Sequence, residues 1–211
     1  MRACKSSLLR ILVLVLLLLL GAAGAKALRV KVVRVIDGDT VVLADGRHLR
    51  YAGINAPELH SPEGPPEPFA REAYLRNREL VEGRTLRFEP AFRRKDRHGR
   101  LLGYLLLPDG RLVSEILVSE GLAMACYYPG ASRYRKRLLR AQLQALRQGR
   151  GIFGFLRDTE PYYIGNVRSR RFHRPGCPRA QKIRKKRIFP SLRQAFEAGY
   201  CPARGCRPWP P

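Results

Sequence analysis

The sequence is poor in acidic residues. Its 211 residues include 17 aspartates and glutamates against 41 lysines and arginines, which gives a formal net charge of +24 and an isoelectric point near 11.0. A cationic surface that serves only solubility needs far less charge, so solubility alone is a disfavoured explanation of the composition. Lysine and arginine release condensed counterions when they bind a polyphosphate, so the composition favours nucleic acid as the partner, with anionic membrane as the second candidate.

The chain also lacks internal repeats, and its first apolar run lacks a polar face. Arg2, Lys5 and Arg10 precede the run 11–20, and the small residues of 21–25 follow it with the spacing of a cleavage site. A buried core helix is therefore disfavoured, and residues 1–27 are predicted to be a signal peptide or an N-terminal anchor. Cys4 precedes the run, which excludes it as the lipid-bearing cysteine of a lipoprotein. The protein is predicted to be secreted or extracytoplasmic, and to contact membrane only if the segment stays uncleaved.

Patterns typical of strands dominate the residues that follow. The run 28–43 is rich in valine and is broken by Asp37-Gly38-Asp39, so it predicts a hairpin; a second turn at Asp45-Gly46 leads to a third strand over 48–54. Two more strands are predicted at 85–89 and 101–107, joined by an exposed charged loop over 93–100. Five strands in this arrangement predict an antiparallel sheet that closes into a barrel.

Apolar residues at helical spacing predict three helices. They cover 69–81, ended by Gly83, then 113–121, and then an arginine-rich segment over 132–150. The predicted fold class is therefore mainly β with helices (α+β), a five-stranded oligonucleotide-binding-type barrel plus three helices. Beyond a linker at 157–163 the composition shifts toward Arg, Lys, Cys and Pro, which predicts a barrel domain over 28–157 and a small basic Cys/His-containing domain over 158–211.

Residues suited to phosphodiester hydrolysis occur in and around the barrel strands. The reaction requires positive charge against the phosphate, a base that orients or deprotonates water, and a groove for the strand. Asp37 and Asp39 offer oxygen ligands for Ca²⁺ or Mg²⁺ in a tight turn, although Asp-Gly-Asp alone is equally typical of turn chemistry. Arg50, Glu58 and Arg100 are of the residue types that charge stabilisation and base catalysis use.

Four ordered motifs give a more specific indication. The segments IDGDTV, LRYAGINAPE, DRHGRLLGY and LVSEGLA, followed by GIFG, resemble those of the thermonuclease (staphylococcal nuclease-like) family over roughly 28–154. The resemblance implies a Ca²⁺-dependent endonuclease on a five-stranded barrel. It implies Asp39 as the principal Ca²⁺ ligand and Ala56 as a ligand through its backbone carbonyl. It further implies Arg50 and Arg100 as phosphate-clamping residues and Glu58 as the catalytic carboxylate.

The chain departs from the family pattern at Asn55, which stands where the best-known members have a second aspartate ligand. An amide oxygen still coordinates a cation, but one negative charge is lost, and Asp37 is a candidate outer-shell acceptor. Tyr127 and Tyr128 resemble the tyrosines that pack against base and sugar, and Arg97 and His98 are predicted to touch a terminal phosphate. The family's two tyrosines are usually spaced as Tyr-x-Tyr, whereas Tyr127 and Tyr128 are adjacent. Cys126 is predicted to be a buried small apolar residue.

The last segment resembles a small metal-binding module of the type found in methylated-DNA repair regulators. That resemblance implies Zn²⁺ bound by His173, Cys177, Cys201 and Cys206, although the module's usual Pro-Cys-x-x-Cys is here C-x₄-C. A disulfide between Cys201 and Cys206 is the equally weighted alternative outside the cytoplasm.

Together these features predict an exported, metal-dependent nuclease that hydrolyses phosphodiester bonds in DNA and RNA with little sequence preference. Contacts to backbone phosphates and stacking on bases are expected to dominate the binding. Neither kind of contact distinguishes one base sequence from another. The alternatives are a non-catalytic nucleic-acid-binding protein and an envelope-anchored DNA-handling protein. Intact Arg50, Glu58 and Arg100 argue against the first.

Overall fold

Tight turns and alternating apolar residues build the barrel strands. In the first strand Val30 and Val32 pack on the core two residues apart, and a β-bulge between Val32 and Arg34 shifts the alternation so that Val35 is buried while Arg34 is exposed. A computed structural model describes residues 28–60, 65–129, 133–203 and 206; the predicted targeting segment at 1–27 lies outside them. The first six strands are β1 (Arg29–Val35), β2 (Thr40–Leu43), β3 (His48–Tyr51), β4 (Ile54–Asn55), β5 (Thr85–Lys95) and β6 (Leu101–Leu106).

Five of these strands close into a barrel in the order β1-β2-β3-β6-β5, which confirms the predicted fold class. Neighbouring strands are antiparallel except β3 and β6, which run parallel. The predicted third strand over 48–54 is interrupted after Tyr51, and β4 pairs instead with β7 (Met124–Ala125) in a separate two-stranded sheet. The predicted charged loop is shorter than expected, because β5 continues as far as Lys95.

Three helices accompany the barrel, as predicted. They are α1 (Ala70–Val81), α2 (Val113–Ser119) and α3 (Arg135–Arg147), and a short 3₁₀ helix follows at Gly151–Phe153. The chain leaves α1 through Gly83, whose φ of +75° is readily adopted only by glycine. Helix α3 is amphipathic because Leu138, Ala141, Ala145 and Leu146 are buried while its arginines face outward. Within the described ranges, no helix is long and apolar enough to cross a membrane.

The C-terminal part forms a second sheet that the sequence patterns do not predict. Its strands β8 (Tyr163–Asn166), β9 (Arg171–His173), β10 (Lys186–Phe189) and β11 (Cys201–Pro202) are arranged in the order β10-β8-β9-β11. Two short helices complete it, α4 (Pro178–Gln181) and α5 (Leu192–Glu197). An apolar cluster joins this sheet to the barrel part, with the rings of Phe153 and Phe196 at 5.6 Å between centroids.

A disulfide adds a covalent link between the two parts. Cys126, directly after β7, is bonded to Cys201 at the start of β11, with 5.4 Å between the Cα atoms and 75 residues between them in sequence. Cys126 is buried as predicted, but it is half of a disulfide and not a free apolar residue. Gln142 of α3 bridges the same boundary, since it accepts a hydrogen bond from the Ala125 N–H at 2.8 Å and donates one to the Phe196 carbonyl at 2.8 Å.

Asn77 is fully buried on α1, and it fixes the turn between β1 and β2. Its amide accepts a hydrogen bond from the Tyr51 hydroxyl at 2.8 Å and donates one to the Asp37 carbonyl at 2.9 Å. Both partners would be left without these hydrogen bonds if the amide were removed. An unsatisfied buried polar group costs about 1 to 3 kcal/mol.

We therefore expect Asn77→Ala to lower the free energy of unfolding by on the order of 3 kcal/mol, measured by urea denaturation. Gln144→Ala, on the exposed side of α3, is the matched control and should change it by less than about 0.5 kcal/mol. Equal effects of the two substitutions would show that the Asn77 hydrogen bonds do not stabilise the fold.

Candidate active site

The turn between β1 and β2 packs too closely to admit any residue but glycine at its centre. A Cβ atom on Gly38 would lie 2.6 Å from the Cβ of Ala56 and 2.7 Å from the Cβ of Ala73. The Asp39 N–H donates a hydrogen bond to the Asp37 Oδ1 at 2.8 Å, which closes the turn. The Asp-Gly-Asp sequence therefore brings two carboxylates against the segment that carries Ala56.

Asp39 is the centre of a buried polar cluster. One carboxylate oxygen forms an ion pair with Arg50 and accepts a hydrogen bond from the Thr40 hydroxyl at 3.0 Å. The other oxygen accepts a hydrogen bond from the Ala56 N–H at 2.9 Å. Both Asp39 and Arg50 are buried, so the pair is shielded from the solvent screening that weakens exposed ion pairs. The cluster thus joins β2, β3 and the segment after β4.

Arg50 connects this aspartate to the other predicted metal ligands. Its guanidinium donates to the Asn55 Oδ1 at 2.8 Å, and the Asn55 amide donates to the Ala56 carbonyl at 3.1 Å. Burial lowers the pKa of Arg50, but the charge of Asp39 and the proximity of Tyr128 outweigh this, so the pKa of Arg50 is raised overall. The guanidinium is therefore held at the point where the oxygens of Asp39, Asn55 and Ala56 converge.

Carboxylates crowd the same region. Burial, together with the charges of Asp39 and Glu58, raises the pKa of Asp37 to about 7, against the opposing effects of the Asp39 N–H and Arg50. Glu58 is half-buried, and its backbone is fixed by two hydrogen bonds with Glu67, one to the Glu67 carboxylate at 2.9 Å and one from the Glu67 N–H at 3.0 Å. Carboxylates that repel one another in a partly desolvated site favour the uptake of positive charge.

Arg100 lies beside Arg50 through the pairing of their strands. Arg50 is opposite Leu102 in the parallel pair of β3 and β6, and Arg100 precedes Leu102 by two residues, which places the two arginines on the same face. The Arg100 guanidinium donates to the Asp96 carboxylate at 2.7 Å. Arg97 and His98 are exposed at the tip of the same loop, where the Arg97 Nε lies 3.0 Å from the His98 Nε2.

The two tyrosines after Cys126 have different surroundings. The Arg135 guanidinium lies 5.2 Å from the centre of the Tyr127 ring. Tyr128 is half-buried, lies close enough to Arg50 to raise the pKa of that arginine, and carries the Arg171 guanidinium over its ring at 4.5 Å. No sequence motif marks Arg171 or Asn77 as part of this region. Tyr128, despite its unusual spacing, contacts the centre of the site.

The structure brings together three of the four predicted zinc ligands. Ligand atoms of His173, Cys177 and Cys206 all lie within 4.8 Å of one another, and the His173 Nδ1 is 3.5 Å from the Cys177 sulfur and 3.4 Å from the Cys206 sulfur. Cys201 is placed elsewhere, because its sulfur is bonded to Cys126. The predicted four-ligand set is corrected accordingly, as is the alternative Cys201 to Cys206 disulfide.

Cys177 and Cys206 form a second disulfide. A sulfur in a disulfide is not a thiolate, and thiolate is the form that binds zinc. Burial lowers the pKa of His173, and the charge of Arg179 lowers it further, so the imidazole beside these sulfurs favours its neutral form. Zn²⁺ stays a prediction for the reduced chain, with three ligands instead of four.

Comparison with known proteins agrees with this geometry. The profile of the family described as "Staphylococcal nuclease homologue" matches residues 48–154, which is half of the chain. The chain belongs to this family. It is 35% identical to a thermonuclease of Staphylococcus hyicus over 136 residues, which cover 63% of this chain and 80% of that protein.

Two further relatives support the assignment. A thermonuclease of Staphylococcus intermedius is 34% identical over 125 residues, covering 58% of this chain and 74% of that protein. Endonuclease YncB of Bacillus subtilis (strain 168) is 39% identical over 106 residues, covering 48% of this chain and 50% of that protein. The predicted family and the predicted barrel are confirmed, and the chain is a phosphodiester-hydrolysing nuclease of this family.

Proposed function

We propose that this nuclease cuts DNA and RNA in a cation-dependent reaction at the cluster around Asp39, with little preference for sequence. The observation that supports this most strongly is the convergence of Asp39, Arg50, Asn55 and the Ala56 carbonyl, with Glu58 close enough to raise the pKa of Asp37. These groups come from the turn before β2, from β3 and β4, and from the segment after β4. Together they supply oxygen ligands, a phosphate-binding guanidinium and a carboxylate base.

The oxygens of this cluster suit Ca²⁺. A carboxylate, an amide oxygen and a backbone carbonyl are the hard donors that Ca²⁺ prefers, and Asp37 is placed to accept hydrogen bonds from the surrounding water. The proposed ligands are Asp39, Asn55 and the Ala56 carbonyl. When bound, the cation supplies positive charge against the phosphate oxygens. The crowded carboxylates of Asp37, Asp39 and Glu58 favour such a cation on electrostatic grounds.

The side chains of the chain itself perform the remaining work. In our proposal Glu58 orients the attacking water and accepts its proton. Arg50 and Arg100 hold the phosphate oxygens, where guanidinium groups form paired, charge-assisted hydrogen bonds and stabilise the charge that develops during attack. The existing hydrogen bonds of Arg50 to Asp39 and Asn55 fix its orientation before substrate arrives.

Nucleic acid is the substrate class that the rest of the surface favours. The net charge of +24 attracts the phosphate backbone of either DNA or RNA. We propose that Tyr127 and Tyr128 stack on bases, because Tyr128 is close to Arg50 and stacking on an aromatic ring tolerates any base. We propose Arg97 and His98 as contacts to a terminal phosphate, since both are exposed on the loop that leads to Arg100.

Export from the cytoplasm is part of the proposal. It is supported by the pattern of residues 1–27 and by two cysteine pairs placed for disulfides, because disulfides persist in oxidising compartments. We propose that residues 28–157 carry the catalytic unit and residues 158–211 an appended basic unit fastened to it by Cys126 and Cys201.

The cation site is tested by restoring the second carboxylate. We expect Asn55→Asp to lower the Ca²⁺ concentration for half-maximal hydrolysis of single-stranded DNA by about tenfold, because ligand charge sets affinity at oxygen sites. The substitution also removes the Asn55 amide N–H that now donates a hydrogen bond to the Ala56 carbonyl, which frees that oxygen for the cation. Half-saturation is measured in Ca²⁺ buffers, with calorimetry of Ca²⁺ binding as an independent measurement.

The control is Gln144→Glu, which adds the same charge on the exposed side of α3. Its half-saturation should equal that of the unmodified protein. If the two variants behave alike, Asn55 is not a ligand. If Ca²⁺ binds to neither variant nor to the unmodified chain, the cation site lies elsewhere.

A further inference from the structure

Arg171 belongs to the C-terminal sheet, yet its side chain reaches the nuclease site. On β9 it is paired with Cys201 of β11, and Cys201 is bonded to Cys126, two residues before Tyr128. The disulfide therefore holds the strand that carries Arg171 against the segment that carries Tyr128. Arg171 lies outside residues 48–154, the range that matches the family.

Two arginines share one tyrosine at this point. The Arg171 guanidinium lies 4.5 Å from the centre of the Tyr128 ring, and Tyr128 is also close enough to Arg50 to raise the pKa of Arg50. Burial lowers the pKa of Arg171, and the positive charge of Arg50 also lowers it, against the effect of Tyr128. The two guanidinium groups are therefore close enough to repel each other inside one partly desolvated site.

The positive charge of Arg171 has no counterpart in the described part of the chain. None of the ion pairs found there includes Arg171, although eleven pairs are formed by other residues. Its Nη1 atom is shielded from solvent and has no hydrogen-bond partner among the described residues. An unpaired donor on a cation is unfavourable in a folded protein, and an anion that fills the site offsets this cost.

We propose that Arg171 binds a backbone phosphate of the substrate strand, next to the phosphate that Arg50 holds. This inference rests on the proposed nuclease function, and it adds a substrate-binding residue from outside the family domain. The ligand is a polynucleotide with at least two consecutive phosphates. Tyr128 then lies between the two arginines, since the Arg171 guanidinium stacks on its ring and Arg50 is near it.

The full-length protein tests this with Arg171→Gln, Arg171→Lys and the control Arg168→Gln, which removes an exposed arginine from the turn before β9. On a single-stranded DNA 12-mer with Ca²⁺, we expect Arg171→Gln to raise KM about tenfold to a hundredfold and to change kcat less than about threefold. Arg171→Lys should recover part of the loss, because lysine keeps the charge without the planar fork. Arg168→Gln should leave KM within about threefold.

Salt dependence separates phosphate binding from a purely structural role. The slope of log affinity against log salt, measured by fluorescence anisotropy of the labelled 12-mer, should fall by about 0.7 in Arg171→Gln, the value per phosphate of a single strand. A variant that only loosens Tyr128 would weaken binding at every salt concentration with the slope unchanged. An unchanged slope, or a KM equal to that of Arg168→Gln, would overturn the proposal.

A dinucleotide with a single phosphodiester bond locates the contact. It has no neighbouring phosphate, so Arg171→Gln should cut it as well as the unmodified protein does; an equal loss on dinucleotide and 12-mer would overturn the assignment to a neighbouring phosphate. The binding measurements also stand apart from hydrolysis. If the unmodified chain binds the 12-mer but cuts neither substrate, the proposed function fails, while a reduced salt slope still supports Arg171 as a phosphate ligand.

Discussion

Replacing Glu58 by glutamine is expected to lower kcat for hydrolysis of single-stranded DNA by a factor of about 10² to 10⁴, the usual contribution of a positioned base. The amide keeps the size of the carboxylate but cannot accept the proton of the attacking water. The backbone hydrogen bonds between Glu58 and Glu67 involve main-chain atoms of Glu58, so they survive the substitution. Binding of the strand should therefore be retained while the chemical step slows.

The control for this variant is Glu79→Gln, which removes an exposed carboxylate that pairs with Arg76 on α1. Exposed ion pairs contribute little, so we expect its kcat and its thermal midpoint to match those of the unmodified protein. Hydrolysis rates are measured at saturating substrate and Ca²⁺, with anisotropy to verify binding. A Glu58→Gln variant as active as Glu79→Gln would assign the base to another residue.

The second large effect is expected for Arg50→Lys. Lysine keeps the positive charge but has a single ammonium in place of the planar fork that now reaches both Asp39 and Asn55. We expect kcat to fall by about 10² to 10³, comparable to the loss of one transition-state hydrogen-bond donor. The measurement is kcat and KM on the same 12-mer, with circular dichroism and a melting curve to show that the barrel is intact.

Arg47→Lys is the matched control, because Arg47 forms an exposed ion pair with Asp45 in the turn between β2 and β3. It should retain full activity, since exposed pairs are screened by solvent. If Arg50→Lys kept full activity in a folded protein, a point charge would suffice at this position, and the clamping role of Arg50 would be wrong.

Local sequence patterns predict the barrel because its strands are joined by recognisable turns. Asp37-Gly38-Asp39 and Asp45-Gly46 separate runs rich in valine, and both lie at turns in the structure. The pairing of β4 with β7 could not be predicted, since each strand has two residues and their partners are about 70 positions apart in sequence. Such short strands leave no periodicity to detect.

The pairing of the cysteines could not be predicted from the sequence for a similar reason. Four cysteines allow about three connectivities, and the choice depends on which segments pack together in space. Cys201 is close to Cys206 in sequence, which favoured their pairing, but β11 lies beside β9 and so brings Cys201 to Cys126. His173 and Cys177 were predicted to be neighbours from their spacing, and they are.

Within the active site, sequence motifs predict the residues that converge but not those that support them. Asp39, Arg50, Asn55 and Ala56 belong to the family motifs and lie together in the structure. Asn77 and Arg171 reach the site from α1 and from the C-terminal sheet, so only the tertiary packing reveals them. Asn77 contacts the Asp37 carbonyl and Arg171 contacts the Tyr128 ring, and local patterns do not encode contacts between residues so far apart in sequence.

The most direct measurement is hydrolysis of labelled single-stranded DNA and RNA by the full-length protein, with Ca²⁺ and with excess chelator. A cation-dependent nuclease centred on Asp39 cuts both polymers when Ca²⁺ is present and neither when it is removed, and activity returns when Ca²⁺ is added back. Tight binding of both polymers without cleavage in Ca²⁺, Mg²⁺ or Mn²⁺ would contradict the proposal and identify the chain as a nucleic-acid-binding member of the family.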